Sequence, residues 1–334
     1  MKTLKLAFLT YLALSLASSA MAQHQHAFIW ASTTGMTDLG TLGGNSSYAL
    51  GINDSGQVAG YSYLADNVTA HAFIWSAATG MIDIGTDGGA DSRAWAINAS
   101  GDVVGDNDYS FNGSQTPFYW SPSAGFSLIG RIHNYDFTFG INNKSQVTGQ
   151  IYSSPSVRAF LWSPGMRNPL YISQLLVSGL SVGNAINNHT HITGTASNAD
   201  GLFVAFLWQK AGGMVQIASV AGDNYTAGEA INDRDQVVGL GVDSSGQYEG
   251  FYWSPSTGQI LLQTLGGQHS GGFGINRSGV FAGEASNASE ALHAAVWNSA
   301  TSVPIDLGTL PGGTISYGRA INNLGQVAGT SDVP

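Results

Sequence analysis

Along this chain, short apolar runs alternate with breaks rich in Gly, Ser, Asn and Asp, and the whole alternation recurs seven times. Copy one reads His26-Ala27-Phe28-Ile29-Trp30, then Met36-Thr37-Asp38-Leu39-Gly40-Thr41-Leu42-Gly43-Gly44. Ala49-Leu50-Gly51-Ile52-Asn53 and Gly56-Gln57-Val58-Ala59-Gly60 follow. Runs of this length bounded by turn residues predict four strands per copy, and no segment carries a sustained helical period. Two markers set the period. Trp ends a run at Trp30, Trp75, Trp120, Trp162, Trp208, Trp253 and Trp297, and an Ile-Asn pair places Asn53, Asn98, Asn142, Asn187, Asn232, Asn276 and Asn322. Neighbouring copies lie 42 to 46 residues apart on either marker. A fixed period of this size means a repeat architecture.

Seven four-stranded units predict an all-β fold, a seven-bladed β-propeller built from repeats of about 45 residues. The chain begins with the last two strands of a blade and finishes with the first two. The last blade is therefore expected to be closed by two strands from each terminus, which leaves no open sheet edge. The Trp series is expected to fill the space between blades. The Asn series should bond its own turns, since Asn53-Asp54-Ser55-Gly56 puts Asn first and Gly fourth, as a type I turn favours. Small residues alternate before each Ile, as in Ala49 and Gly51 or Gly318 and Ala320, and suit strands whose backbones approach closely near an axis.

These phrases resemble the HAF family of bacterial extracellular repeat proteins. His26-Ala27-Phe28-Ile29-Trp30 recurs as His71-Ala72-Phe73-Ile74-Trp75, and the Leu-Gly-Thr-Leu-Gly-Gly and Ile-Asn-x-x-Gly-Gln-Val-Ala-Gly phrases match the rest of that repeat. The likeness covers residues 26–331. Copies three to five depart most: the His becomes Thr116, Arg158 or Val204. The resemblance implies an exported bacterial protein and brings no functional residues with it.

Export is also read from the residues. Lys2 and Lys5 precede an apolar run, and Ala20-Met21-Ala22 is a small-x-small cleavage site. Residues 1–22 are thus expected to be a signal peptide and 23–334 a single propeller domain. Without the leader, 9 basic residues face 21 acidic ones. An acidic surface repels nucleic acid and anionic lipid, so neither is an expected partner. The chain has no Cys, so packing alone must hold it and no lipid can be attached through a thiol. No membrane anchor is expected, and a monomer is.

Topology separates two faces. The Asn-x-x-Gly turns lie on one and are uniform. The segments 62–70, 106–115, 151–157, 196–203, 241–248 and 284–291 lie on the other and vary, as binding loops on a rigid scaffold do. The candidate ligand-binding residues there are Arg93, Asp106, Asp108, Tyr109, His133, Tyr135, Asp136, Tyr225 and His269. Aromatic rings beside carboxylates and carboxamides suit sugar recognition. Trp95, Glu229 and Arg319 occupy equivalent inner-strand positions and are expected to line a central channel. No catalytic motif is present. Asp106 and Asp108 resemble part of a calcium loop but lack its Gly and distal Glu, so calcium is a weak candidate and no cofactor is expected. His189 and His191 are two apart in a turn, a spacing more often accidental than metal-binding. The expected function is a non-catalytic module binding a glycan or an extracellular protein. The alternatives are a propeller hydrolase or lyase on polysaccharide, using carboxylates and His133, and a structural envelope protein.

Overall fold

The computed structural model describes residues 24–109, 114–129, 136–153, 156–172, 174–176, 179–217 and 225–334. They form a β-propeller of four-stranded antiparallel blades. In the first complete blade the order from the axis outward is Gly43–Ile52, Val58–Leu64, Ala70–Ser76 and Gly80–Gly85. The closing blade takes Ser316–Ile321 and Val327–Val333 from the C-terminal end and His24–Ala31 and Gly35–Asp38 from the N-terminal end. Seven consecutive pairs, from His24↔Val333 to Trp30↔Val327, knit the two ends together.

The sheet count differs from the expectation of seven separate blades. Five four-stranded sheets stand alone, and the remaining eight strands, from Ser181 to Leu261, form one sheet. A parallel pairing of Phe203 with Tyr225 joins its two halves. Their rings lie 6.5 Å apart, so a side-chain contact brings two neighbouring backbones within pairing distance at one point.

The core sits between blades. Among the described residues the buried apolar side chains fall into seven clusters, and each holds one Trp of the repeat series. Two positions before the Trp stands a fully buried Phe in six copies, as Phe28, Phe73, Phe118, Phe160, Phe206 and Phe251. Copy seven has Ala295 there. The lost volume is restored from the neighbouring strand: Phe281 stands where other copies carry Val or Ile, and its ring stacks on Trp297 at 5.4 Å. Phe281→Val should therefore cost about 2–4 kcal/mol through the cavity it leaves. Adding Ala295→Phe to that variant should recover much of the loss, and urea unfolding of the two singles and the double would read the coupling.

Every inner strand also carries a bulge at the same place, three residues before its Asn. The extra residues are Leu50, Trp95, Phe139, Asn184, Glu229, Phe273 and Arg319. The close approach expected near the axis is present. A Cβ on Gly51 would lie 3.2 Å from Ala96 Cα, and one on Gly274 2.9 Å from Ala320 Cα.

Candidate functional site

The two ends of the axis are built differently. At the turn end, each Asn of the series accepts hydrogen bonds from its own turn, as Asn53 Oδ1 does from Ser55 and Gln57 N–H. Its Nδ2 then donates to the backbone carbonyl of the next copy's Asn. Distances run from 2.8 to 3.3 Å for Asn53 to Asn98 and onward to Asn276 to Asn322. Asn322 donates to Asn53 at 3.0 Å and closes the ring. The expectation that these side chains serve their turns holds, and the inter-copy bond adds to it. Where the fourth turn residue is not Gly, Ser145, Thr190 and Asp235 take positive φ of 55°, 69° and 58°. Each reaches back to the preceding copy, through Asp102, Gln146 and His191 respectively. His191 is thereby tied to Asp235 at 2.7 Å. A shallow depression of about 180 Å³ marks this end of the axis, lined by the Ile and Asn residues of the repeats.

The opposite end carries the varied chemistry. Arg93, Asp106, Asp108, Tyr225 and His269, read from the sequence as loop or link residues, belong instead to the loop-side ends of strands. Antiparallel pairing simply continues further than the turn residues suggest, as in Asp91↔Asp108 and Arg93↔Asp106. Asp106 is buried and accepts a hydrogen bond from Trp95 Nε1. Arg93 lies over the Tyr61 ring at 5.6 Å, and Tyr61 stacks on Tyr48 at 4.7 Å. Asp108 Oδ1 is buried without a hydrogen-bond partner. His269 packs edge-on to Tyr248 at 6.3 Å with its Nδ1 unbonded. His133, Tyr135 and the side chain of Tyr109 lie outside the described residues.

Asp136 does not present its side chain on the loop face. It is fully buried, and its Oδ1 accepts from Tyr152 N–H at 2.8 Å. It occupies a position six before the Asn that is Ser or Thr in every other copy. There the hydroxyl accepts a backbone N–H of the preceding blade, as from Ala27 to Ser47 at 2.9 Å or Ala294 to Ser316 at 2.8 Å. In Asp136's case the facing residue is Pro117, which has no N–H to give. The staple was missed in the sequence, although Ser47, Ser92, Ser181, Thr226, Ser270 and Ser316 recur in register. The His of the repeat phrase is structural as well: His26, His71 and His293 bond Asp38, Asp83 and Asp306 at 2.8 to 2.9 Å.

Trp95, Glu229 and Arg319 are bulged residues, and each meets the bulged residue of a neighbouring copy. Trp95 meets Phe139 edge-on at 6.0 Å, and Asn184 Nδ2 reaches Glu229 Oε2 at 3.4 Å. The Arg319 guanidinium lies over Phe273 at 4.6 Å and over Tyr317 at 5.3 Å. Burial pushes Glu229 up to about 7, opposed by Arg319, and Asp106 up to about 6, opposed by Arg93 and the Trp95 bond. Their ordinary values are 4.5 and 3.8, so the folded state holds these protons more tightly than the unfolded chain does. Stability from these groups is full below their ordinary values and is lost as pH climbs through 6 and then 7. The melting temperature should fall between about pH 5 and about pH 8, with Glu229 accounting for a loss of order 2 kcal/mol. Glu229→Gln should flatten that slope and raise the melting point at the alkaline end. An unchanged slope would acquit Glu229.

Among the described residues, no three His, Asp or Glu side chains gather as a metal site. No family model and no curated protein matches the chain. Solved propellers do. A putative TolB from Agrobacterium tumefaciens superposes with a TM-score of 0.54 at 10% identity, over 94% of this chain and 100% of that one. TolB from Acinetobacter baumannii gives 0.53 at 6% identity, over 83% of this chain, which spans 63% of that one. The β-propeller domain of the Trilobed protease from Pyrococcus furiosus gives 0.54 at 10%, over 82% and 85%. That domain is described as having an open velcro topology, whereas here strands from both termini complete one sheet. At such identities the likeness defines the class of fold, a β-propeller, and nothing finer.

Proposed function

We propose that this chain is an exported, seven-bladed propeller of the HAF-repeat kind that binds a glycan or another extracellular macromolecule without transforming it. The seven-blade reading counts the eight-stranded sheet as two blades. Each half has four antiparallel strands, and each supplies one Asn to the closed ring. The export reading rests on the basic, apolar and small-x-small order of residues 1–22.

One observation carries the binding reading: the two axial ends differ in chemistry. The turn end is repetitive, with its amides joined copy to copy. The other end gathers Trp95, Phe139, Tyr61 and Tyr48 beside Arg93 and Asp106, a mixture of ring faces and charged groups on rigid strands. Ring faces stack on sugar C–H surfaces, and carboxylates and guanidinium groups bond hydroxyls. A ligand that binds only the folded state raises its melting point by mass action. Thermal shifts with a panel of polysaccharides, repeated with Trp95→Ala, test the reading. A shift with one glycan class that Trp95→Ala abolishes supports it. No shift with any glycan or protein fraction of the envelope, or turnover of a polysaccharide, overturns it.

A further inference from the structure

In the closing blade, Val327–Val333 and His24–Ala31 pair without a loop to join them, and a cavity of about 530 Å³ opens beside their ends. His24, His26 and Asp38 line it, with Asn45 from the next blade and Leu310 and Pro311 from the link before. His24 and His26 are two apart on one strand, so their side chains leave the same face about 6.8 Å apart.

The two rings are held differently. His26 Nδ1 lies 2.8 Å from Asp38 Oδ2. A carboxylate only accepts, so Nδ1 carries the proton, and Nε2 of the neutral ring keeps its lone pair. Among the described residues, none bonds the His24 ring. The His–Asp pair recurs as His71 with Asp83 and His293 with Asp306, but the residues two before are Thr69 and Ala291. The pair therefore belongs to the repeat, and the second imidazole is particular to this copy.

Two imidazoles on one strand face, one of them fixed by a carboxylate through its other nitrogen, are the elements of a transition-metal site. Imidazole nitrogens bind such ions at about 2.0–2.1 Å, and rings rooted about 6.8 Å apart can converge on one ion. The cavity has room for waters in the remaining positions, at about 30 Å³ each. Imidazole suits copper, nickel and zinc better than calcium, and copper is held most tightly. We propose that His24 and His26 bind a divalent transition-metal ion in this cavity, with Asp38 orienting His26 and water completing the shell.

Copper(II) titrated calorimetrically into the purified chain from Gln23 onward, in a buffer that does not bind metal, tests this. One equivalent should bind, and His24→Ala and His26→Ala should each weaken it at least about tenfold. The His24 ring has no bond to lose, so His24→Ala should keep the native melting point and remain informative even if His26→Ala loosens the blade. Asp38→Asn should weaken binding about tenfold with both ligands present. His189→Ala, which breaks the other His-x-His phrase, should change nothing. No binding of copper(II), or full retention by folded His24→Ala, overturns the inference. So does loss of binding in His189→Ala. Retention by His26→Ala alongside loss in His24→Ala overturns it too, since the N-terminal amine and His24 would then chelate the ion without the cavity.

Discussion

Gly105→Ala should lower the melting point by about 10 °C or more. A Cβ at Gly105 would overlap the carbonyl oxygen of Arg93 and come within 2.5 Å of the Phe118 ring. Every copy has this arrangement. Gly60, Gly149, Gly194, Gly239, Gly283 and Gly329 each face an inner-strand carbonyl with no room for one more carbon. Overpacking usually costs about 1–3 kcal/mol, when side chains can yield. Here the obstacle is backbone held on both sides, so about 4 kcal/mol or more is expected, with a melting point lower by about 10 °C or more. Gly80→Ala is a contrasting control. Gly80 has open space around it but a positive φ of 68°, so its cost should stay near that of backbone strain, about 1–2 kcal/mol. Similar losses at the two positions, read by thermal unfolding, would refute the steric account.

The second large effect is expected at the closing seam. Asn322→Ala removes bonds to Leu324 N–H, Gln326 N–H, Gln326 Oε1 and the Asn53 carbonyl, all from a side chain that is 3% exposed. Losing buried partners costs about 1–3 kcal/mol for each group left unmet, so about 3–5 kcal/mol in all is expected. The adjacent bond from Asn323 N–H to Asp54 Oδ1 depends on the same turn geometry. Hydrogen exchange should quicken first in Ser316–Ile321 and Val327–Val333, the strands that the C-terminal end lends to the closing blade. A change confined to the turn itself, with the melting point held, would mean that the strand pairing across the seam suffices without the ring.

Much of this architecture was legible beforehand because it is local and periodic. The Trp and Asn series marked strands and turns, and the small residues before each Ile marked the crowded axis, where Gly51 does lie against Ala96. The repeat His was legible only as part of a recurring phrase; its Asp partner, twelve or thirteen residues on, was not identified. The candidate site was read less well. Asp106 and Asp108 looked like loop residues because Asp and Asn usually break strands, and pairing with Arg93 and Asp91 overrode that preference. Asp136 looked like a ligand group beside Tyr135, and it is a buried substitute for a serine staple. Its difference from Ser47 or Ser92 follows from Pro117, a residue nineteen positions earlier, which no local pattern connects to it.

By itself, the sequence determined the period, the strand content, the uniform face and the pairing of the two chain ends in one blade. Those follow from the repeat of turn residues and apolar runs, because each copy must bury its apolar side chains against a neighbour. Only the tertiary structure decided that the seven Asn join in a ring, that each inner strand bulges at the position of Trp95, Glu229 and Arg319, and that Glu284 lies buried beside Arg319. The reason is distance along the chain: Asn322 and Asn53 are 269 residues apart, and closure alone brings them to 3.0 Å.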